Sequence, residues 1–145
     1  MVFNDAVSVV SDVQPASAVA EGLSRRVLQL VSGGGTNLHA AVCTAASKMN
    51  DIRRADKASG ENRLYGIILL SDGADTAGAV SENRMFQTCL PATLEADGTK
   101  FFAIAFGDGA GMGVLSRIAN VSGGAMFAAN AMSIEQTYLK ISAEQ

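Results

Sequence analysis

Two short segments carry the residue types that suit a hard divalent cation. One is Ser71-Asp72-Gly73-Ala74-Asp75-Thr76, which begins where an apolar run over residues 64–70 ends. The other is Ser32-Gly33-Gly34-Gly35-Thr36-Asn37-Leu38, which opens a helical stripe. Asp72 offers a carboxylate at a strand tip. Thr36 offers a hydroxyl at a glycine-set helix start, where free amides and the positive end of the helix face outward. Oxygen donors of this kind match the preference of magnesium, manganese or calcium. Taken singly, Asp72-Gly73 reads as a common strand-ending turn and Thr36 as an ordinary N-cap; only the pair suggests a metal. One carboxylate and one hydroxyl are still too few, because magnesium takes about six oxygens in a near-octahedral array. A third segment must contribute.

The elements that hold these loops follow from the apolar pattern. Residues 64–70 and 101–106 are apolar throughout, which predicts strands buried on both faces of a parallel sheet. A shorter run over residues 125–128 predicts another. Two short strands are expected near the start, over Val2-Phe3 and from Ala6 towards Val13, with Pro15 ending the second. Helical spacing fills the intervals: Val19, Leu23, Val27, Leu30 and Val31; then Leu38, Ala41, Val42, Ala45, Ala46, Met49 and Ile52. Met85, Phe86, Cys89, Leu90 and Leu94 predict a helix that Pro91 kinks or restarts. Val114, Leu115, Ile118 and Ala119 predict the next, and Ile134, Tyr138 and Ile141 the last. This alternation predicts an α/β fold, an open and mostly parallel sheet with helices on both faces. Ligands of such sheets bind beyond the carboxyl ends of the strands, where Asp72 would emerge. Residues 1–145 are expected to form one domain.

Composition narrows the function. With 48% hydrophobic and 17% charged residues, the chain can bury a core and disorder is excluded. A net charge of -3 and the absence of tryptophan leave nothing to attract or stack nucleic acid. No apolar run approaches the roughly 18 residues of a membrane helix, so no membrane contact by this chain is expected. Cys43, Cys89 and the lone His39 lack the spacing of a zinc set. Both cysteines read as small buried apolar residues, with one disulfide as the alternative. His39 is given no role. General acid–base chemistry has no second histidine, and Ser32 and Ser71 have no base, so an enzyme is not expected.

Gly34-Gly35-Thr36-Asn37-Leu38 followed by Ile67-Ile68-Leu69-Leu70-Ser71-Asp72-Gly73 resembles the von Willebrand factor type A (VWA) domain. The opening Val2-Phe3-Asn4-Asp5-Ala6-Val7 is similar to that family's second and third strands, and the later strands and helices match in order to the closing helix. The resemblance implies a Rossmann-like sheet and a protein-binding, adhesion-type function. In the family, a bound Mg²⁺ or Mn²⁺, with Ca²⁺ as an alternative, keeps one position open for an acidic side chain of a partner protein. On this chain the resemblance implies Thr36 and Asp72 as metal ligands. Gly34, Gly35, Asn37, Ser71 and Gly73 would shape the loops, and Asp75 and Asp108 would be negative neighbours on the rim. For these last two acids, plain solvated loop residues are the stronger alternative.

The chain departs from the family at one point. Its first metal loop, Asp-x-Ser-x-Ser after the first strand, has no counterpart in this sequence. The resemblance therefore implies an N-terminally truncated VWA-like domain with an incomplete metal site and weak or absent metal binding. It also implies a missing central strand, and hence self-association through exposed strand edges. Two alternatives stand beside this. One is a degenerate fragment with a structural or interaction role and no metal. The other, weaker, is a phosphate-binding transferase, because residues 31–39 look superficially like a formyltransferase glycine loop; that reading needs a strand over residues 27–31.

Overall fold

The computed structural model describes residues 1–31, 33–90, 98–107 and 111–143. The chain opens with a small antiparallel hairpin of β1 (Val2–Phe3) and β2 (Val7–Ser8), in register Val2 with Ser8. Helix α1 (Ala16–Leu28) and the long α2 (Leu38–Ala58) follow, then β3 (Gly66–Ser71). A short helix α3 (Glu82–Arg84) widens into a π-helical turn, Met85–Cys89. The remaining elements are β4 (Lys100–Phe106), α4 (Met112–Val121), β5 (Met126–Ala129) and α5 (Ile134–Ala143). The helix expected from Met85, Phe86, Cys89, Leu90 and Leu94 begins three residues earlier, at Glu82, and Pro91 and Leu94 lie outside the described residues.

Strands β3, β4 and β5 form a three-stranded parallel sheet in that order, with Gly66 opposite Lys100 and Ala103 opposite Met126. β4 is central, and its side chains alternate between two cores as strand geometry requires. Phe101, Ala103 and Ala105 join Leu38 and Val42 of α2, Met85 and Phe86 of the π-turn, and Leu115 and Ile118 of α4. Phe102 and Ile104 point the other way, onto Ala129 and the α5 residue Ile141. Each fully buried side chain of this size contributes about 1.5–3 kcal/mol of transfer free energy. Helices thus flank both faces of a mixed α/β core.

Two features differ from the pattern-based expectation. The apolar stripe of α1 is not covered: no residue of α1 is buried, and Val27 is 51% and Val31 90% exposed. Hydrophobic spacing alone predicts a helix, whereas burial also needs a surface to receive it, and none of the described elements provides one. Likewise β3 is not sandwiched. Leu69 is buried, but Ile68 and Leu70, which share the face of Phe102 and Ile104, are 40% and 42% exposed because α5 covers only the β4–β5 side. The β1–β2 hairpin does not join the parallel sheet, so β3 is an edge strand among the described residues.

Two close approaches hold this arrangement. A Cβ at Gly124 would overlap the carbonyl of Phe101, so the chain entering β5 lies directly against β4. Ser122 secures the same junction: it is buried, accepts the Phe101 N–H at 2.9 Å and donates to the Ala119 carbonyl at 2.9 Å.

Candidate functional site

Three segments meet beyond the carboxyl end of β3. Residues 72–78 leave the strand after Ser71, residues 33–37 lead into α2, and the β1–β2 hairpin supplies Asn4 and Asp5. Thr36 and Thr76 join the first two reciprocally: the Thr36 N–H donates to Thr76 Oγ1 at 2.8 Å, and the Thr76 N–H donates to the Thr36 carbonyl at 2.9 Å. Thr36 and Asp72 therefore belong to loops bonded to one another on one edge of the sheet. Asp72 is exposed and Thr36 half-buried. Asp72 lines a narrow crevice with Gly73, Phe106, Gly107 and Met112, between the ends of β3 and β4 and the start of α4.

Asn37 ties the glycine loop to the hairpin. Its backbone N–H donates to the Asn4 carbonyl at 2.7 Å, and its Nδ2 to the Asp5 carbonyl at 3.1 Å. Asn37 is buried, and its Oδ1 has no hydrogen-bond partner. The Asp5 carboxylate accepts the Gly35 N–H at 2.5 Å. That contact explains two glycines. Gly34 has φ +82°, and a Cβ there would overlap the Asp5 carboxylate; a Cβ at Gly35 would come within 2.8 Å of Asp5 Oδ1 and 2.9 Å of Thr76 Oγ1. Only glycine combines that left-handed backbone with room for the acid. In the sequence Asp5 stands only within the segment similar to the family's second and third strands, and no spacing signal links it to residues 34–35.

Asp75 is not a solvated rim acid. Its side chain is 4% exposed, with Oδ2 accepting the His39 N–H at 2.9 Å and Oδ1 accepting the Gly78 N–H at 2.8 Å. The physical reason lies at the start of α2. Its N-cap, Asn37, makes no side-chain cap, so the first-turn donors need an acceptor from elsewhere. Asp75 supplies it, with its negative charge at the positive end of the helix. Of the first-turn amides expected to face outward, that of His39 is thereby engaged. His39 is buried and does have a role: its Nδ1 lies 2.8 Å from the Val80 carbonyl, which can only accept, so Nδ1 carries the proton.

Ser71 is buried and closes the end of β3, with Oγ donating to the Gly73 carbonyl at 3.1 Å. Gly73 itself has open space at its Cβ position and no left-handed backbone, so the sharp turn expected of it does not require glycine. The close approach needs glycine on the other side: a Cβ at Gly111 would lie 2.7 Å from the Gly73 carbonyl oxygen. Asp108 lies outside the described residues.

Thr36 and Asp72 remain two candidate oxygen donors. The Asp75 and Asp5 carboxylates already accept backbone N–H groups, and no group of three or more His, Cys, Asp or Glu among the described residues could hold a metal. By themselves these residues do not fit a complete hard-cation site. The strand that a formyltransferase-like loop would require is also missing, because α1 runs through Leu28 and residues 29–31 form none.

Cys43 and Cys89 form a disulfide, so they are not the separate buried apolar residues first expected. The α2 helix and the π-turn bring their Cα atoms to 5.0 Å, within bridging range. A 46-residue separation conceals that proximity in the sequence.

No protein-family model matches the chain, and no curated protein matches it. Among solved structures, an uncharacterized membrane spanning protein from Vibrio fischeri is similar, with a TM-score of 0.49 and 20% identity over 86% of this chain. The match spans 66% of that protein's chain, just under two thirds of its length. Among the described residues no helix is long and apolar enough to cross a membrane.

Proposed function

We propose that this chain is a protein-binding module of the VWA type, not an enzyme, whose partner-facing rim comprises the glycine loop and the Asp72 loop. The observation that carries this is the reciprocal Thr36–Thr76 hydrogen bonding at the carboxyl end of a parallel strand. It joins a hydroxyl-bearing loop and a carboxylate-bearing loop at the edge where α/β sheets bind ligands. Thr36 and Asp72 are the residues that would touch a Mg²⁺, Mn²⁺ or Ca²⁺ ion, and a partner's acidic side chain is the ligand such an ion would attract. Two donors fall well short of a full coordination shell, so this chain alone holds a cation weakly. The edge of β3 that pairs with no strand among the described residues, with Ile68 and Leu70 exposed beside it, supports self-association or pairing with another strand.

A second reading is favoured by the inward turn of Asp75: a VWA-like interaction module that uses no metal. Calorimetric titration with MgCl₂, MnCl₂ and CaCl₂, on the chain and on Asp72→Ala, separates the two. Weak binding, in the millimolar range or looser, that Asp72→Ala abolishes supports the cation-assisted rim. Heat changes identical in both proteins support the metal-free module. Tight binding that survives Asp72→Ala overturns the assignment of Asp72.

A further inference from the structure

We propose that the Cys43–Cys89 bond is a redox latch on the π-helical turn: opening it releases the turn's wide register while the rest of the chain stays folded. Such turns are rare and frequently mark functional sites. Here the α-helical bond from the Met85 N–H to the Ser81 carbonyl, 3.0 Å, gives way to the wider one from the Leu90 N–H to the Met85 carbonyl, also 3.0 Å. In α-helical register Cys89 would stack on Met85, and Leu90 on Phe86. The additional residue instead stacks Leu90 on Met85, both buried, and turns Cys89 towards the flank of the exposed Arg84, where it meets Cys43 of α2. Two contacts thus favour the wide turn, the burial of Leu90 and the bond to Cys43. Only the second answers to redox.

The bond lies within reach of a small dithiol. Both cysteines are half-buried and line an open groove of about 410 Å³ between α2 and the π-turn, a volume in the range of clefts that take small organic molecules. One thiolate of the dithiol attacks a sulfur of the Cys43–Cys89 bond, and the other cysteine leaves as a thiolate. The second thiolate then closes the dithiol into its own disulfide and displaces the remaining cysteine. The dithiol loses two electrons, and the two cysteines gain them with two protons. The segment before the turn is held independently of this bond. Asp75 accepts the His39 and Gly78 N–H groups, His39 Nδ1 donates to the Val80 carbonyl, and Ser81 Oγ caps α3 by accepting the Arg84 N–H at 3.3 Å. Met85 and Phe86 stay in the core with Leu38 and Val42. Opening the bond therefore frees the end of the turn and leaves its start in place.

The test compares residue-resolved amide exchange, read by NMR, in the oxidised chain and in the chain reduced with dithiothreitol without denaturant. Reduction should speed exchange at the Leu90 N–H by about tenfold or more, while the His39 and Gly78 N–H groups change by less than about twofold. Cys43→Ser/Cys89→Ser should show the reduced pattern with no reductant present. If that variant folds poorly, the reduced natural chain still supplies the comparison. Three results overturn the proposal: a bond that opens only in denaturant, Leu90 exchange unmoved by reduction, or all three amides accelerating together. A folded double variant that keeps the oxidised pattern overturns it as well.

Discussion

Asp75 and His39 meet twice: the Asp75 carboxylate accepts the His39 backbone N–H at 2.9 Å and lies 3.6 Å from the imidazole Nδ1 of the same residue. A carboxylate from the loop after β3 thus caps the first turn of α2 at a residue 36 positions earlier in the chain. Helix start and candidate rim are one hydrogen-bonded unit.

Asp75→Ala should therefore destabilise the whole chain and not only the loop. It leaves the His39 and Gly78 N–H groups without their acceptor, at a cost of about 2–3 kcal/mol for a buried, charge-assisted cap. Urea unfolding followed by far-ultraviolet circular dichroism measures it. A midpoint unchanged from the parent would mean the cap is dispensable.

The Asp5 contact predicts non-additivity. Gly34→Ala places a methyl group against the Asp5 carboxylate at a left-handed backbone position. Asp5→Ala removes the obstruction along with one hydrogen bond. The double variant should be less destabilised than the sum of the two single ones, by roughly 1 kcal/mol, since the residues touch. Strict additivity in denaturant unfolding would argue against the contact.

Gly124→Ala should be far worse than alanine at Gly113, where the Cβ position is open. The added methyl group meets the Phe101 backbone in the central strand, which cannot move aside, so a loss of more than about 3 kcal/mol is expected. Gly113→Ala, within α4, should be neutral or slightly stabilising. Thermal melts of the two variants side by side would reveal the contrast or its absence.

Reducing Cys43–Cys89 should lower stability by up to roughly 4 kcal/mol, the loop-entropy value for a bridge across 46 residues. Cys43→Ser/Cys89→Ser should show a similar loss and become insensitive to reductant. Unfolding curves with and without dithiothreitol provide the comparison.

Tyr65 gives a pH prediction. Burial first, then its hydrogen bond to Asp56 at 3.0 Å and the Asp56 charge, raise the phenol above its ordinary value. The folded chain therefore favours the protonated form. The stabilisation is fully present below the ordinary phenol pKa of about 10 and disappears as the pH rises through the folded value. Relative to Tyr65→Phe, the unmutated chain should lose stability only in that alkaline range. A constant difference between the two across the range would contradict this linkage.

The elements were legible where local pattern and burial agree. Phe101 to Phe106 is apolar throughout because β4 is covered on both faces, and Leu38, Val42 and Ala46 recur at helical spacing because that side of α2 meets the core. Legibility stopped where a residue's partner is distant. The stripe of α1 has the same periodicity as α2 yet buries nothing, since periodicity does not say whether a receiving surface exists. That the glycine loop and the loop after β3 adjoin could be expected from their places at the sheet edge. The roles of Asp5, Asp75 and His39 depend on contacts across 30 to 41 residues, which no short motif encodes.

The cross-link between α2 and the π-turn also governs how the chain would respond to pulling from its ends. Tension would travel through the Cys43–Cys89 bond and bypass everything between, including β3 and the whole Asp72 loop. With the bond intact, those 46 residues, roughly 150 Å of extended contour, stay out of the path. The Asp72 half of the rim would then keep its shape under load, whereas the glycine loop, which precedes Cys43, would lie in the path.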